Sequence, residues 1–107
     1  MNYIKLLNDL RKRKFESTWF EFKENLINAD KIGEYISALS NSAKVIGSDY
    51  AYFFWGVSDF THEIVGTSFD YNMDVNNEPL EHYLLRNLYP NLSFKFDEFV
   101  VNPKVSV

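Results

Sequence analysis

Cysteine is absent from this 107-residue chain. Its absence excludes a disulfide framework and any thiolate metal site. Histidine is scarce. His62 and His82 stand without a cysteine or a second histidine at ligand spacing, so both read as structural, His62 as part of a turn in THEIVGT. No apolar run is long enough to span a bilayer. In MNYIKLLNDLRKRK the charges follow the apolar residues, the wrong order for a signal peptide, and the chain reads as cytoplasmic. It carries neither G-x-x-x-x-G-K-[ST] nor G-x-G-x-x-G, so no ATP site is recognisable in this segment. No serine lies in a nucleophile elbow, and there is no repeat or low-complexity stretch.

What the chain does have is aromatic mass: ten Phe, seven Tyr and two Trp, enough for one domain with a single modest core. The net charge is −4, which argues against free-standing nucleic-acid binding. Its distribution points the other way. Residues 1–14 hold five basic side chains (Lys5, Arg11, Lys12, Arg13, Lys14) and one acid, Asp9, a local +4. The remainder holds six basic residues against fourteen acids, a local −8. The run Arg11–Lys14 is either a solvated helix end, where cations suit the dipole, or a patch that contacts phosphate.

Residues 2–13 read as a helix capped by Asn2, with Ile4, Leu7 and Leu10 at helical spacing. Thr18–Lys23 reads as a strand with Phe20 and Phe22 on the core face and Trp19, Glu21 and Lys23 on the other. Asp30 is the expected N-cap of a second helix, Lys31–Ala43, with a stripe of Ile32, Tyr35, Ile36, Leu39 and Ala43. YAYFFWGV, Tyr50–Val57, is the strongest strand pattern, apolar on both faces, and Gly56 inside it marks a bulge or a close backbone approach. A hairpin from Tyr50 to Gly66 follows, with a short strand at His62–Val65. Residues 67–77 read as loop, and Pro79 opens a third helix that runs to about Leu88 and is stopped by Pro90. Leu92–Val101 alternates as a strand, and Lys104–Val107 reads as a strand cut short, as in an excised domain or one whose last strand pairs with a partner. The expected fold is α+β: a mixed or antiparallel sheet of about five to six strands with about three helices packed on it. The expected core includes Phe20, Phe22, Ile36, Leu39, Phe53, Leu84 and Phe94. Trp19, Tyr50, Tyr52 and Trp55 are either core aromatics or platforms on which bases stack.

ESTWFEFK (16–23), ISALSNSA (36–43), YFFWGVSD (52–59) and HEIVGTSF (62–69) resemble, in that order, the successive motifs of the Schlafen AlbA-like domain. The resemblance runs from about Glu16 to the C-terminus, and the specificity lies in the ordered set. It implies one domain over residues 1–107, the N-terminal part of a longer protein. Such modules are read as DNA-binding domains of bacterial transcriptional regulators and divergent AAA ATP-binding proteins. Asn41 matches the family's A-x-x-N. The glycine pair that follows it in many members is replaced here by SAKVIGSDYA, so a backbone nest for phosphate is not expected there.

In the vertebrate Schlafen nucleases a similar domain carries three acidic residues for metal-dependent RNA cleavage. Glu16, Glu21 and Asp59 match them in kind and order, which implies a Mg²⁺ or Mn²⁺ ligand set. Hard cations take oxygen ligands, the metal activates water, and Lys23 would offset transition-state charge. Glu16 and Glu21 are five residues apart, so a straight strand would set them on opposite faces and they converge only if the chain turns near Glu16–Ser17. Three readings stand. One is a module that contacts nucleic acid, DNA or RNA, through Arg11, Lys12, Arg13, Lys14 and Lys23, beside downstream domains and without a membrane. Another is a metal-dependent ribonuclease using Glu16, Glu21, Lys23 and Asp59. The last is an interaction domain, including a homodimer, favoured by the acidic balance and the final strand.

Overall fold

The structure is a computed structural model, and it describes residues 2–13, 19–87, 94–102 and 105–106. Lys14, Glu16 and the turn expected at Glu16–Ser17 lie outside the described residues, as do Thr18, Leu88, Pro90, Leu92, Lys104 and Val107.

Alternation of aromatic and charged residues makes β1 (Phe20–Lys23) a strand with one dry face. It pairs in parallel with β2 (Tyr52–Trp55), in the register Phe20↔Tyr52, Glu21↔Phe53, Phe22↔Phe54, Lys23↔Trp55. Parallel neighbours need a long crossover, and α2 (Ala29–Val45) supplies it. Asn28, not Asp30, is the N-cap: its backbone is still extended and its side chain accepts the Lys31 N–H at 3.0 Å. Asp30 falls in the first turn instead, where it suits the dipole and accepts the Tyr83 hydroxyl at 2.6 Å. The helix ends past the expected Ala43. Gly47, at φ +75°, donates to the Lys44 carbonyl and Ser48 to the Ala43 carbonyl, a Schellman closure that needs a left-handed residue.

The β1–β2 pair separates two apolar clusters. On one face Phe20, Phe22, Phe54 and Val57 pack with Leu7 and Leu10 of α1 (Tyr3–Arg11), which Asn2 caps as expected. On the other, Ile32 of α2 packs with Leu80 and Leu84 of α3 (Leu80–Asn87), and Ile36, Trp55, Phe69, Phe94 and Phe96 close around them. Phe20, Phe22, Leu39 and Leu84 are buried as expected, whereas Ile36, Phe53 and Phe94 are only half-buried. The deep residue of β2 is Phe54, which lies opposite Phe22 with ring centroids 6.0 Å apart. Phe53 shares its face with Glu21, its register partner, so that face cannot be fully dry.

The α+β class with three helices holds, but the described strands are short and form three two-stranded pairs rather than one sheet of five or six. The Tyr50–Gly66 hairpin contracts to a single bridge, Val57↔Ile64. Residues read as loop include a tight hairpin, β3 (Asp74–Val75) with β4 (Glu78–Pro79), turned by Asn76 and Asn77, both at positive φ as a two-residue connection demands. Residues 94–99 are irregular: Phe94 and Phe96 pack on the α2–α3 side and Phe99 on the α1 side, so the segment crosses between clusters instead of pairing. β5 (Val100–Asn102) pairs antiparallel with β6 (Val105–Ser106), so the final strand meets a neighbour in its own chain. Among the described residues no helix is long and apolar enough to cross a membrane.

Truncating Phe22, fully buried between α1 and β2, leaves a cavity that the pairing cannot close. Phe22→Ala is expected to cost about 3–5 kcal/mol in chemical denaturation. Phe53→Ala should cost clearly less, and an equal loss at both positions would contradict the register.

Candidate functional site at the carboxyl ends of the parallel strands

β1 and β2 end side by side, and the chain leaving β2 folds back over that end. Gly56 directs it. At φ +91° its N–H reaches both the Lys23 carbonyl (2.8 Å) and the Glu24 carbonyl (3.0 Å), while its own carbonyl accepts from Val65 and Gly66. A side chain at that φ would be strained, which accounts for the glycine inside an otherwise apolar strand. The result is a tight turn at residues 58–62. Ser58 is buried, and its Oγ accepts the N–H groups of Phe60 (3.2 Å) and Thr61 (3.1 Å). The Ser58 carbonyl accepts the His62 N–H at 2.9 Å, and His62 closes the turn at φ +63°. The His62 ring stands edge-on to Phe22 at 5.0 Å, the structural role expected of it.

This turn sets Asp59 beside Lys23. The Lys23 ammonium donates to Asp59 Oδ2 at 2.7 Å and lies 3.6 Å from Glu21 Oε1. It also sits 5.8 Å from the centre of the Tyr35 ring on α2. Lys23 and Glu21 share the α2 face of β1 because they are two residues apart, and Asp59 reaches them from the turn. The hydrogen bond to Asp59 holds the Lys23 ammonium protonated well above its ordinary range, against a smaller opposing effect of burial. The same bond pulls the Asp59 carboxyl below the ordinary aspartate value. Of the three carboxylates expected to converge, two therefore meet on one lysine. Glu16 lies outside the described residues. Among those residues no three His, Cys, Asp or Glu side chains form a metal-sized group.

The basic run divides. Arg11 is half-buried, and its Nε donates to the His62 carbonyl at 2.6 Å while Nη1 donates to Asn8 at 2.8 Å. It is a clamp between the end of α1 and the 58–62 turn, so the expectation of an exposed helix end fails at this position. Lys12 and Arg13 are exposed, with the Arg13 guanidinium 5.2 Å from the Trp19 ring. The aromatics divide too. Trp55 donates from Nε1 to the Leu26 carbonyl at 2.7 Å and stacks on Phe69, and Trp19 and Tyr52 pack on the α1 cluster. Tyr50 is exposed. A cleft of about 750 Å³ runs beside β2 past Tyr50, Phe53, Phe69 and Phe96, but neither Glu21, Lys23 nor Asp59 lines it. Aromatic rings make up about half of its lining, beside Lys44, Asp49, Lys95, Asp97 and Glu98; we place the candidate site at Lys23, where two of the family-matched carboxylates meet. Asn41 is exposed on α2. Phe60, which the sequence reading did not single out, stands exposed on the same turn, between Asp59 and Thr61.

Residues 16–107 match the family model described as Schlafen, AlbA_2. The chain belongs to that family. No curated protein and no solved structure matches it. The Schlafen AlbA_2 match begins at Glu16 and ends at Val107, so it takes in β1, the α2 crossover, β2 and the 58–62 turn, while α1 precedes it. In this Schlafen AlbA_2 domain, then, Arg11 lies outside the matched segment and fastens α1 onto a turn within it.

An aspartate whose folded pKa is lowered stabilises the fold above its ordinary value of about 3.9, and that contribution is lost as pH falls through the lowered folded value. An NMR titration of the Asp59 carboxyl should give a midpoint below 3.9, the ordinary aspartate value. In Lys23→Ala it should return towards that value. An identical midpoint in both proteins would mean that the 2.7 Å contact does not persist in solution.

Proposed function

We propose that this Schlafen AlbA_2 domain binds nucleic acid at the carboxyl ends of β1 and β2, as the DNA-binding part of a regulator or an ATP-binding protein. Membership of the family supports the nucleic-acid reading. The observation that carries the location is the Arg11–His62 bond, which fastens the basic end of α1 to the turn holding Asp59 beside Lys23. Open ends of parallel strands are where α/β crossovers leave a crevice for ligands. Lys12 follows the clamp directly and is exposed, and Arg13, also exposed, lies over the Trp19 and Phe20 rings at the amino end of β1; with Lys14 beyond the described residues they are the phosphate contacts of this reading, along the α1 side of the strand pair. Lys23, held by two carboxylates, is a poorer phosphate ligand until one of them is neutralised.

The test is fluorescence anisotropy with labelled oligonucleotides at several salt concentrations. Lys12→Ala/Arg13→Ala should weaken binding about equally across sequences and lower the salt slope by up to about two. Arg11→Ala should also lower thermal stability, because it releases the turn. A wild-type protein that binds nothing at low salt would overturn the reading in favour of the protein-interaction domain.

The meeting of Glu21 and Asp59 on Lys23 favours a second reading, a Mg²⁺- or Mn²⁺-dependent ribonuclease in which Glu16 completes the ligand set. Two carboxylates are a fitting start for a hard cation, which would supply a polarised water at the phosphodiester. Glu21 and Asp59 would hold the cation, and Lys23, which lies beside both, would offset charge on a phosphate oxygen. Cleavage of tRNA that requires Mn²⁺ and is lost in Glu21→Gln is the expected result. Intact tRNA with and without Mn²⁺ would exclude the activity and leave the binding module.

A further inference from the structure

We propose that the cleft beside β2 takes an extended peptide of another polypeptide, which adds as a strand to the open edge of β2 and alternates apolar with basic side chains. The proposal goes beyond the nucleic-acid reading and does not depend on it. Neither Lys12, Arg13, Lys23 nor Asp59 lines the cleft.

The register sets which edge is open. The Tyr52 N–H donates to the Trp19 carbonyl and the Gly56 N–H to the Lys23 carbonyl, so the even-numbered residues of β2 turn their backbone groups toward β1. Successive residues of a strand turn these groups to opposite sides, so Phe53 and Trp55 turn theirs away from β1. Among the described residues β2 pairs with β1 alone, and the outward backbone groups of Phe53 and Trp55 have no partner. The cleft follows that edge, because residues 51–55 all line it, from both faces of the strand. Residues 94–99 line it too. Half-buried Phe94 and Phe96 alternate there with exposed Lys95 and Asp97, as in a strand, yet the segment pairs with nothing among the described residues. Natural proteins guard an open edge with charge or proline, and YFFW has neither. Val45, Ile46 and Tyr50 are exposed in the stretch that joins α2 to β2, and Lys44 and Ala51 at its ends both line the cleft. Exposed apolar residues gathered beside an open edge mark a surface that a partner covers.

The groups along the cleft select the occupant. Donors and acceptors that recur at every second residue are met one for one by another extended chain, and the side chains of that chain then fall alternately on the two faces. On the α2 face they meet Phe53, Trp55, Phe69 and Phe96, whose rings contact one another and want an apolar neighbour. On the α1 face lies Asp97, which accepts the Tyr3 hydroxyl at 2.7 Å. Three carboxylates, Asp49, Asp97 and Glu98, line the cleft against two lysines, and one of these, Lys95, lies 3.4 Å from Asp97. The lining is therefore acidic by one charge, in a chain of net charge −4, and basic side chains on the added strand complement it.

The experiment is amide hydrogen exchange, read by NMR on the whole 107-residue chain, with and without a synthetic octapeptide that alternates lysine with phenylalanine and valine. In the free protein the Phe53 and Trp55 amides should exchange fast and the Phe54 amide slowly. Peptide at about ten times its Kd should slow exchange at Phe53 and Trp55 by about ten-fold. The same peptide N-methylated at every second residue keeps its charges and side chains but loses edge donors, and should bind at least about ten-fold more weakly. A peptide with glutamate in place of lysine should also bind more weakly. Phe53 and Trp55 amides already protected in the free protein would show that the edge is paired within the chain, and would overturn the proposal. Protection that appears elsewhere on adding peptide, or equal affinity for the N-methylated peptide, would overturn strand addition. Equal affinity for the glutamate peptide would overturn the basic character of the occupant. Protection of Phe53 and Trp55 that rises with protein concentration alone would assign the edge to a second copy of the chain and overturn the proposal as well.

Discussion

The register of β1 against β2 is the constraint on which the rest depends. With Phe22 opposite Phe54 and Glu21 opposite Phe53, one face of the pair is dry and takes α1, while the other carries two charges and takes α2. A slip of one residue would turn Glu21 and Lys23 into the α1 cluster and expose Phe20 and Phe22. Unpaired charges in that cluster would be far costlier than any contact they could make there. The register thus sets the two cores and the position of Lys23 together, and the site inherits its accuracy from the packing beneath it.

A second constraint acts at the end of the strands. Gly56 lets the backbone approach the carbonyls that end β1 and turn back, and Ser58, His62 and Arg11 then hold residues 58–62 in one conformation. The bond from Arg11 spans 51 positions of sequence. Through it α1 does more than cover a hydrophobic face: it fastens the element that presents Asp59 and Phe60. A surface ion pair such as Lys23–Asp59 adds little to stability by itself, of order 0–1 kcal/mol. Its importance lies in placing two opposite charges and a carboxylate neighbour at one spot on a rigid support.

Much of this was legible in short stretches. The two-residue alternation of TWFEFK marked Phe20 and Phe22 as core and Trp19, Glu21 and Lys23 as the other face; it holds within β1, but Trp19 lies just before the strand, where the alternation no longer applies, and packs on the α1 cluster instead. Asn2 caps α1, and the stripe of α2 buries Ile32, Leu39 and Ala43. Less was legible where two residues competed for one role. Asn28 and Asp30 are both good caps, and only the extended backbone at Asn28 decides between them. YAYFFWGV is apolar on both sides, so its pattern could not say that Phe54 is deep and Phe53 shallow. The arrival of Asp59 beside Glu21 and Lys23 was expected from the order of family motifs and not from spacing, because nothing local in the chain encodes a contact 36 residues long.

The sequence by itself determined the periodicities, the caps, the crowding of basic residues into the first fourteen positions and the family to which the chain belongs. These are short-range or pattern properties, fixed by side-chain chemistry and the geometry of single elements. Tertiary structure decided what each charged or aromatic residue does. Arg11 looks like any cation at a helix end until the His62 carbonyl arrives to accept from it. Trp55 looks like a stacking platform until the Leu26 carbonyl and Phe69 engage it. Phe60 looks like one more phenylalanine among ten until the fold leaves it exposed on the 58–62 turn. Their roles depend on which distant partner closes on them, and that is settled only when the chain has paid the entropy of bringing those partners together.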